Sequence, residues 1–315
     1  MRILTGADQF EPPDAGVVLT IGNFDGVHLG HQRLLARARE VAGEAGAGGV
    51  VAMSFEPHPI AVLRPGHEPP CLSTPQGRAA LLCAAGADSV IFLQTTRELL
   101  GKSATEFLTD CVLPCRPRAL IEGPTFQFGR GRAGNNDTLR DFGATHGFST
   151  EIVPELYAEQ LAGRPAINSS AIREALSDGQ VEVAATMLGR CYEIAGVVGH
   201  GDGRGAPLGF PTANLEAVKT MLPAHAVYAA IATLRDGSRR PAAVNVGPQP
   251  TFDQMTARVE AHILDFEGGL RGERLALAFV QRLRGQSKFD GVEHLIAQLG
   301  RDVETTRGVT ARFFD

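Results

Sequence analysis

Between residues 17 and 153, short apolar-rich runs alternate with segments whose apolar positions recur every three to four residues. The runs at 17–21, 50–55, 89–93, 119–121 and 149–153 predict strands; the segments 28–45, 75–85, 104–112 and 136–146 predict helices. Strand and helix in alternation imply an α/β unit with a mostly parallel, doubly wound sheet, whose ligands sit at the carboxyl ends of the strands. Two short helices are predicted at 169–177 and 181–188. From Cys191 on the pattern changes to apolar runs at 192–198, 226–234, 241–246, 257–266 and 275–283, separated by Gly/Pro turns. That predicts a small all-β barrel or sandwich. A helix over 289–305, with Leu295, Ile296 and Leu299 on one side, closes the chain. The change of pattern places the domain boundary near 186–191, giving domains of 1–186 and 187–315.

Composition narrows the class. The 315 residues are 43% hydrophobic and 21% charged, enough for one large or two ordinary domains with real cores. The net charge of −5 offers no basic surface for nucleic acid, so any phosphate is held locally by helix ends and a few Arg and His. The five cysteines, Cys71, Cys83, Cys111, Cys115 and Cys191, lack zinc spacing and read as reduced, buried thiols. No signal-peptide pattern and no run of membrane-spanning length is present, so a cytoplasmic protein is expected.

The candidate chemistry is concentrated in a few segments. The first strand runs into Gly22–Asn23–Phe24–Asp25–Gly26–Val27–His28–Leu29–Gly30–His31, a glycine turn that opens a helix. His28 and His31 share one face there, beside free backbone N–H groups and the positive end of the helix dipole, a place that suits phosphate. Gly30 lets a ligand lie against the backbone between them. A metal pair is the rival reading, but no carboxylate or Cys stands at a familiar ligand spacing. His58, in the rigid segment Glu56–Pro57–His58–Pro59 after the second strand, reaches the same edge or is a plain turn residue. Ser169 or Ser170 can cap a helix that carries Arg173, a candidate phosphate fork. In the second half, the glycine-dense segment 199–205 leads to Gly209–Phe210–Pro211–Thr212–Ala213–Asn214. Thr212 and Asn214 face one side of an extended segment and offer oxygens to a hard cation such as Mg²⁺. Glu260 and His262 share a strand face, and Glu260 can serve as general base toward a hydroxyl. Gly101–Lys102–Ser103 ends like a phosphate-binding loop, but Thr96 stands where that loop needs glycine; Ser103 and Glu106 read as a helix capping box.

Taken together these motifs resemble the bacterial bifunctional riboflavin kinase/FAD synthetase family, from about Val17 to the C-terminus. Further matches are Phe126–Gln127–Phe128–Gly129–Arg130–Gly131–Arg132, Val246–Gly247–Pro248–Gln249–Pro250–Thr251–Phe252, Val259–Glu260–Ala261–His262 and Leu283–Arg284 with Lys288–Phe289. The resemblance implies an N-terminal Rossmann-like nucleotidyltransferase domain of the HxGH type, acting as FMN adenylyltransferase, and a C-terminal riboflavin-kinase-like barrel. It implies Glu260 as general base and Thr212 and Asn214 as Mg–ATP ligands, with Gly209 and Pro211 beside the nucleotide. It implies that His28 and His31 stabilise the transferring phosphoryl group and that Arg173 stabilises the leaving pyrophosphate. Gly22, Phe24, Asp25, Gly30, His58, Ser169 and Ser170 are the implied binding residues of that site. The expected small molecules are ATP with Mg²⁺, riboflavin, FMN, FAD and pyrophosphate. No tightly held prosthetic group, nucleic acid or membrane is expected, and the chain is expected to be a monomer or loose homo-oligomer. The sequence departs from the family pattern at Arg78, Thr125, Asn168, Ser170, Ala226, Arg271 and Gln286. Two alternatives remain at this level: a riboflavin kinase whose adenylyltransferase domain is weak or inactive, and a nucleotidyltransferase carrying a flavin-binding sensor module.

Overall fold

In the computed structural model, which describes residues 2–200, 205–250 and 255–314, the strands of the first half pair side by side into one parallel sheet. In chain order its strands are β1 (Arg2–Thr5), β2 (Val17–Ile21), β3 (Val50–Glu56), β4 (Ser89–Gln94), β5 (Pro117–Glu122) and β6 (Ser149–Ile152), and their spatial order is β1-β4-β3-β2-β5-β6. The order reverses at β2, so the crevice at its carboxyl end is the topological switch point. The helices are α1 (Leu29–Glu44), α2 (Pro59–Leu63), α3 (Pro75–Ala84), α4 (Arg97–Gly101), α5 (Ala104–Phe107) and α6 (Asn136–His146). Side chains of successive strand residues alternate between two cores. Val18, Val50, Ala52 and Val90 pack with Leu35 and Ala38 of α1 and Leu82 of α3. Leu19, Val51, Met53 and Ile91 face the other way, toward Leu108 and Leu139.

The predicted helix over 104–112 is α5 followed by a wide π-helical turn at Leu108–Val112, and its Ser103–Glu106 capping box is formed. The sequence pattern missed β1, a four-residue edge strand on β4 whose Ile3 is exposed. It also missed α2 and α4, single short helices held by their caps His58 and Thr96.

The second half forms a closed antiparallel barrel, ordered β10-β11-β8-β7-β12-β9. Its helices are α7 (Ser169–Ser177), α8 (Val181–Leu188) and α9 (Val292–Thr310), and its strands are β7 (Tyr192–Val198), β8 (Ala213–Glu216), β9 (Ala226–Thr233), β10 (Arg239–Pro250), β11 (Met255–Ile263) and β12 (Arg274–Gly285). Short β8, adjoining a Gly/Pro segment, escaped prediction. Small buried residues on β9, Ala226, Ala229, Ala230 and Ala232, leave room for Tyr228 and Phe279, which meet edge to face at 5.2 Å. α9 packs on β9, β10 and β12. Leu295 and Leu299 face inward as expected, whereas Ile296 is exposed, and the deeper half of the helix buries Asp302, Thr306 and Thr310 instead.

Packing divides the chain between Asn168 and Ser169. The compositional boundary near 186–191 therefore falls later than the contact boundary: α8 packs on β7 and β12, and α7 packs on α8, so both helices belong to the barrel unit. Residues 201–204 of the glycine-dense segment and Thr251 and Phe252 lie outside the described residues.

Candidate active sites

The turn after β2 is held by burial and by one carboxylate. Phe24 and Val27 adopt left-handed backbone, with φ of 49° and 42°. That conformation is costly for any residue with a Cβ, most of all a β-branched one. Both side chains are fully buried. Asp25 accepts hydrogen bonds from the Leu72 amide (2.9 and 3.0 Å), the Ser73 amide (3.0 Å) and the Ser73 hydroxyl (3.0 Å), and Gly26 N–H donates to that hydroxyl at 3.0 Å. Phe24 and Asp25, expected among the ligand-binding residues, both support the turn. Gly22 lies against the Phe24 ring, where a Cβ would come within 3.3 Å.

His28 is the N-cap of α1, one residue before the helix proper, and its Nδ1 faces the His31 N–H at 3.4 Å. With Nδ1 accepting, the ring proton sits on Nε2. The His28 and His31 rings stack at 3.6 Å and 22°, and the edge of Phe24 meets His31 at 5.1 Å. A Cβ on Gly30 would stand 3.1 Å from the His28 ring, so glycine is what allows the imidazole to lie over the helix start. Burial, then the neighbouring His28 and Arg78, hold the His31 pKa well below its ordinary value, and its Nδ1 is buried without a hydrogen-bond partner. His58 joins the rim: its Nδ1 accepts from the Ile60 N–H at 3.2 Å, and its Nε2 lies 3.3 Å from the Asn23 amide.

Two residues beside this turn were not singled out from the sequence as site residues. Arg78 is a buried cation on α3, bonded to Ser54 Oγ and the Phe55 carbonyl at 3.2 Å each, with Glu56 at 3.6 Å. Ser54 Oγ in turn donates to the Asn23 carbonyl at 3.1 Å. The signal was available: Arg78 and Leu82 are four apart on the buried face of α3. Glu122 ends β5, and its Oε1 accepts the Ile21 N–H at 2.7 Å. Burial pushes its carboxyl well above the usual range against that bond. An α-helix start, a buried guanidinium and the stacked imidazoles of His28 and His31 together favour an anionic, phosphate-bearing ligand.

Ser169, Ser170 and Arg173 lie on α7. The helix begins at Ser169, so Asn168 rather than a serine precedes it; Ser169 and Arg173 are half-buried and Ser170 is exposed.

In the barrel, a cavity of about 650 Å³ opens between strands β8 to β12, the segment before β8, and α9. Alternation puts Phe210, Thr212 and Asn214 on its wall, and Arg258, Glu260 and His262 likewise. Ladder register sets Asn214 opposite Glu260 and Glu260 opposite Asn245, a row across three strands. Asn245 Nδ2 donates to Glu260 Oε2 at 3.3 Å, and Arg258 approaches Oε1 at 3.5 Å. Asn214 is buried, and its Oδ1 has no hydrogen-bond partner among the described residues. Beside the Thr212 hydroxyl and the Glu260 carboxylate, it is a hard oxygen donor suited to a small divalent cation. His262 Nδ1 lies 2.8 Å from the Pro211 carbonyl, tying the 209–214 segment to β11. Gly209 turns that segment at φ 84°, a left-handed position that favours glycine. Arg284 grips Asp302 through bonds of 2.8 to 3.1 Å and fastens α9 over the cavity.

Stacked imidazoles at a helix start on the switch strand, and a barrel holding a carboxylate beside an orphaned amide oxygen, define a nucleotidyltransferase sheet joined to a phosphotransferase barrel. The family model described as FAD synthetase matches residues 11–164, and that described as riboflavin kinase matches 188–310. The bifunctional riboflavin kinase/FMN adenylyltransferase of Pseudomonas fluorescens is 35% identical over 313 residues, covering 99% of this chain and 98% of that one. That of Escherichia coli K12 is 32% identical over 310 residues, covering 98% and 97%. A solved structure described as a macrolide-efflux protein from Streptococcus pneumoniae superposes with a TM-score of 0.88 at 29% identity, covering 97% of this chain and 98% of that one. The chain belongs to the bifunctional riboflavin kinase/FMN adenylyltransferase family. No helix among the described residues is long and apolar enough to cross a membrane.

Proposed function

We propose that this chain converts riboflavin to FMN in the barrel and FMN to FAD in the N-terminal unit, each with one ATP. The observation that carries the reading is the buried, unpartnered Asn214 Oδ1 in register with Glu260, on the wall of a cavity large enough for a flavin. In the first step Glu260 takes the proton of the ribityl 5′-hydroxyl as that oxygen bonds to the γ-phosphorus, and the bond to the bridging oxygen breaks to release ADP. Asn214 Oδ1 and the Thr212 hydroxyl are the residues that would hold Mg²⁺, which neutralises phosphate charge when bound. Gly209 and Pro211 shape the segment that follows the triphosphate.

In the second step an FMN phosphate oxygen bonds to the α-phosphorus of another ATP, and the bond to the bridging oxygen breaks to release pyrophosphate. Phosphate is its own nucleophile, so His28 and His31 contribute by stabilising the transferring group. Motif matches assign Arg173 to the leaving pyrophosphate, and Ser169, Ser170 and His58 to the same site. On that assignment the adenylyltransferase domain includes α7 and ends at residue 186, within α8. The five cysteines, none of them in a disulfide, suit a reducing cytoplasm.

Chromatography of riboflavin, FMN and FAD tests the scheme. Wild-type protein with ATP and Mg²⁺ should make FMN, then FAD. Glu260→Gln should stop only the first step, and His28→Ala only the second. FMN without FAD from wild type would leave a kinase with an inactive adenylyltransferase. Flavin binding without turnover would leave a sensor.

A further inference from the structure

Arg78 is only 4% exposed, and its guanidinium sits over the Phe92 ring at 5.7 Å. One of its nitrogens makes two bonds: Nη1 donates to Ser54 Oγ and to the Phe55 carbonyl, both at 3.2 Å. Nη2 stands 3.6 Å from Glu56, so all three acceptors belong to the end of β3. Arginine only donates, so the fully buried Ser54 hydroxyl accepts from it, and the single hydroxyl proton is left for the Asn23 carbonyl at 3.1 Å. Asn23 immediately precedes the left-handed Phe24. The turn is therefore tied at two points. Asp25 and Gly26 hold it to Leu72 and Ser73, and Ser54, directed by Arg78, holds its entry to β3.

We propose that Arg78 is a positioning residue for FMN adenylylation, orienting the Ser54 hydroxyl that fixes the entry of the turn carrying His28 and His31, a role that rests on adenylylation taking place at those histidines. With Nη1 and Nη2 turned to β3 and almost no exposed surface, the guanidinium acts through Ser54 and not by touching a phosphate. Both hydrogen bonds come from one nitrogen, so the planar fork that distinguishes arginine from lysine is not what this place uses. A lysine ammonium, one nitrogen with three donors, offers the same two bonds. Methionine fills much of the same space and donates nothing, which leaves the Ser54 hydroxyl without the donor that directs it.

The test is steady-state FMN adenylylation by the full chain, with kcat and KM for ATP taken separately and denaturant unfolding of the same preparations as the check on folding. Arg78→Met should lower kcat roughly tenfold and leave KM for ATP within about twofold, because a displaced His28 weakens transition-state stabilisation more than ground-state binding. Arg78→Lys should bring kcat back to within about threefold of wild type. Ser54→Ala should reproduce the loss seen in Arg78→Met, and the double variant should be no slower than Arg78→Met alone, since both changes break one contact. Losses that multiply in the double variant overturn the proposal, as does a rise in KM for ATP at unchanged kcat. If Arg78→Met does not fold, Ser54→Ala decides: a fall in kcat of the same size supports the role, and a wild-type kcat overturns it. His28→Ala separates the two levels. If it is inactive while Ser54→Ala keeps the wild-type kcat, only the role of Arg78 fails; if it adenylylates FMN at the wild-type rate, the site assignment falls and the proposal with it.

Discussion

Replacing Asp25 with alanine should cripple adenylylation without touching a ligand. Its carboxylate satisfies the amides of Leu72 and Ser73, two residues that are themselves buried. A buried N–H stripped of its acceptor costs about 1–3 kcal/mol, so two cost about 2–6 kcal/mol, before any loss at the Ser73 hydroxyl. Against a typical stability of about 5–15 kcal/mol that is a large share. For a unit of this size it corresponds to a drop in melting temperature of about 5–20 °C. The turn carries stored strain as well, since left-handed Phe24 and Val27 cost on the order of 1–3 kcal/mol each and are held there by the same packing. Freed of Asp25, the turn relaxes, and His28, only one residue beyond Val27, leaves the helix start. FAD formation should therefore fall by more than the unfolded fraction explains, while riboflavin phosphorylation persists. Asp25→Asn keeps Oδ1, the oxygen that receives both amides and the hydroxyl, and should show a smaller loss on both counts. Denaturant unfolding, followed together with the two activities, decides the matter. If Asp25→Ala leaves the first transition within about 0.5 kcal/mol of wild type and only raises KM for ATP, the residue is a ligand contact and this reasoning fails.

Three further outcomes are expected. His31 is held neutral in the folded unit, whereas the unfolded chain takes up its proton near pH 6.5, so this residue costs stability as pH falls below about 6.5. His31→Gln should flatten that acid loss in denaturant midpoints compared at pH 7 and pH 5. Glu122 has the opposite sign: the folded carboxyl keeps its proton while the unfolded one ionises above about pH 4.3, so its contribution declines as pH rises. Glu122→Gln should raise the melting temperature more at pH 8 than at pH 5, and an equal effect at both would contradict a neutral buried acid. Arg284→Met leaves the buried Asp302 with Gln298 but without its cation, a loss of about 1–3 kcal/mol. It should lower the barrel's melting temperature and raise KM for riboflavin as α9 loosens.

What the sequence makes legible is period and residue type; what it hides is who stands opposite whom. Four of the five predicted strands of the sheet carry runs such as Val17–Ile21 because residues on both faces must meet a core, so they can be read from hydrophobicity alone; the edge strand β6 is exposed or half-buried along its length. β1 and β8 have four residues each and stand outside the strand–helix alternation that marks the equally short β6. Thr212, Asn214 and Glu260 were legible as a set because extended chain alternates strictly. Asn245 obeys the same alternation, lying between the buried Val244 and Val246, yet its value depends on a register with β11 that no local pattern contains. Asp25 illustrates the limit more sharply. Its type and place in a glycine turn invite a ligand role, but its partners lie 47 positions away in a segment with no regular structure. A buried carboxylate whose acceptors are already committed to amides is poorly placed to serve a nucleotide as well. The same reasoning favours Asn214, whose oxygen is buried and uncommitted: in a close-packed protein, the polar atom left without a partner is a better guide to a ligand than the one that matches a motif.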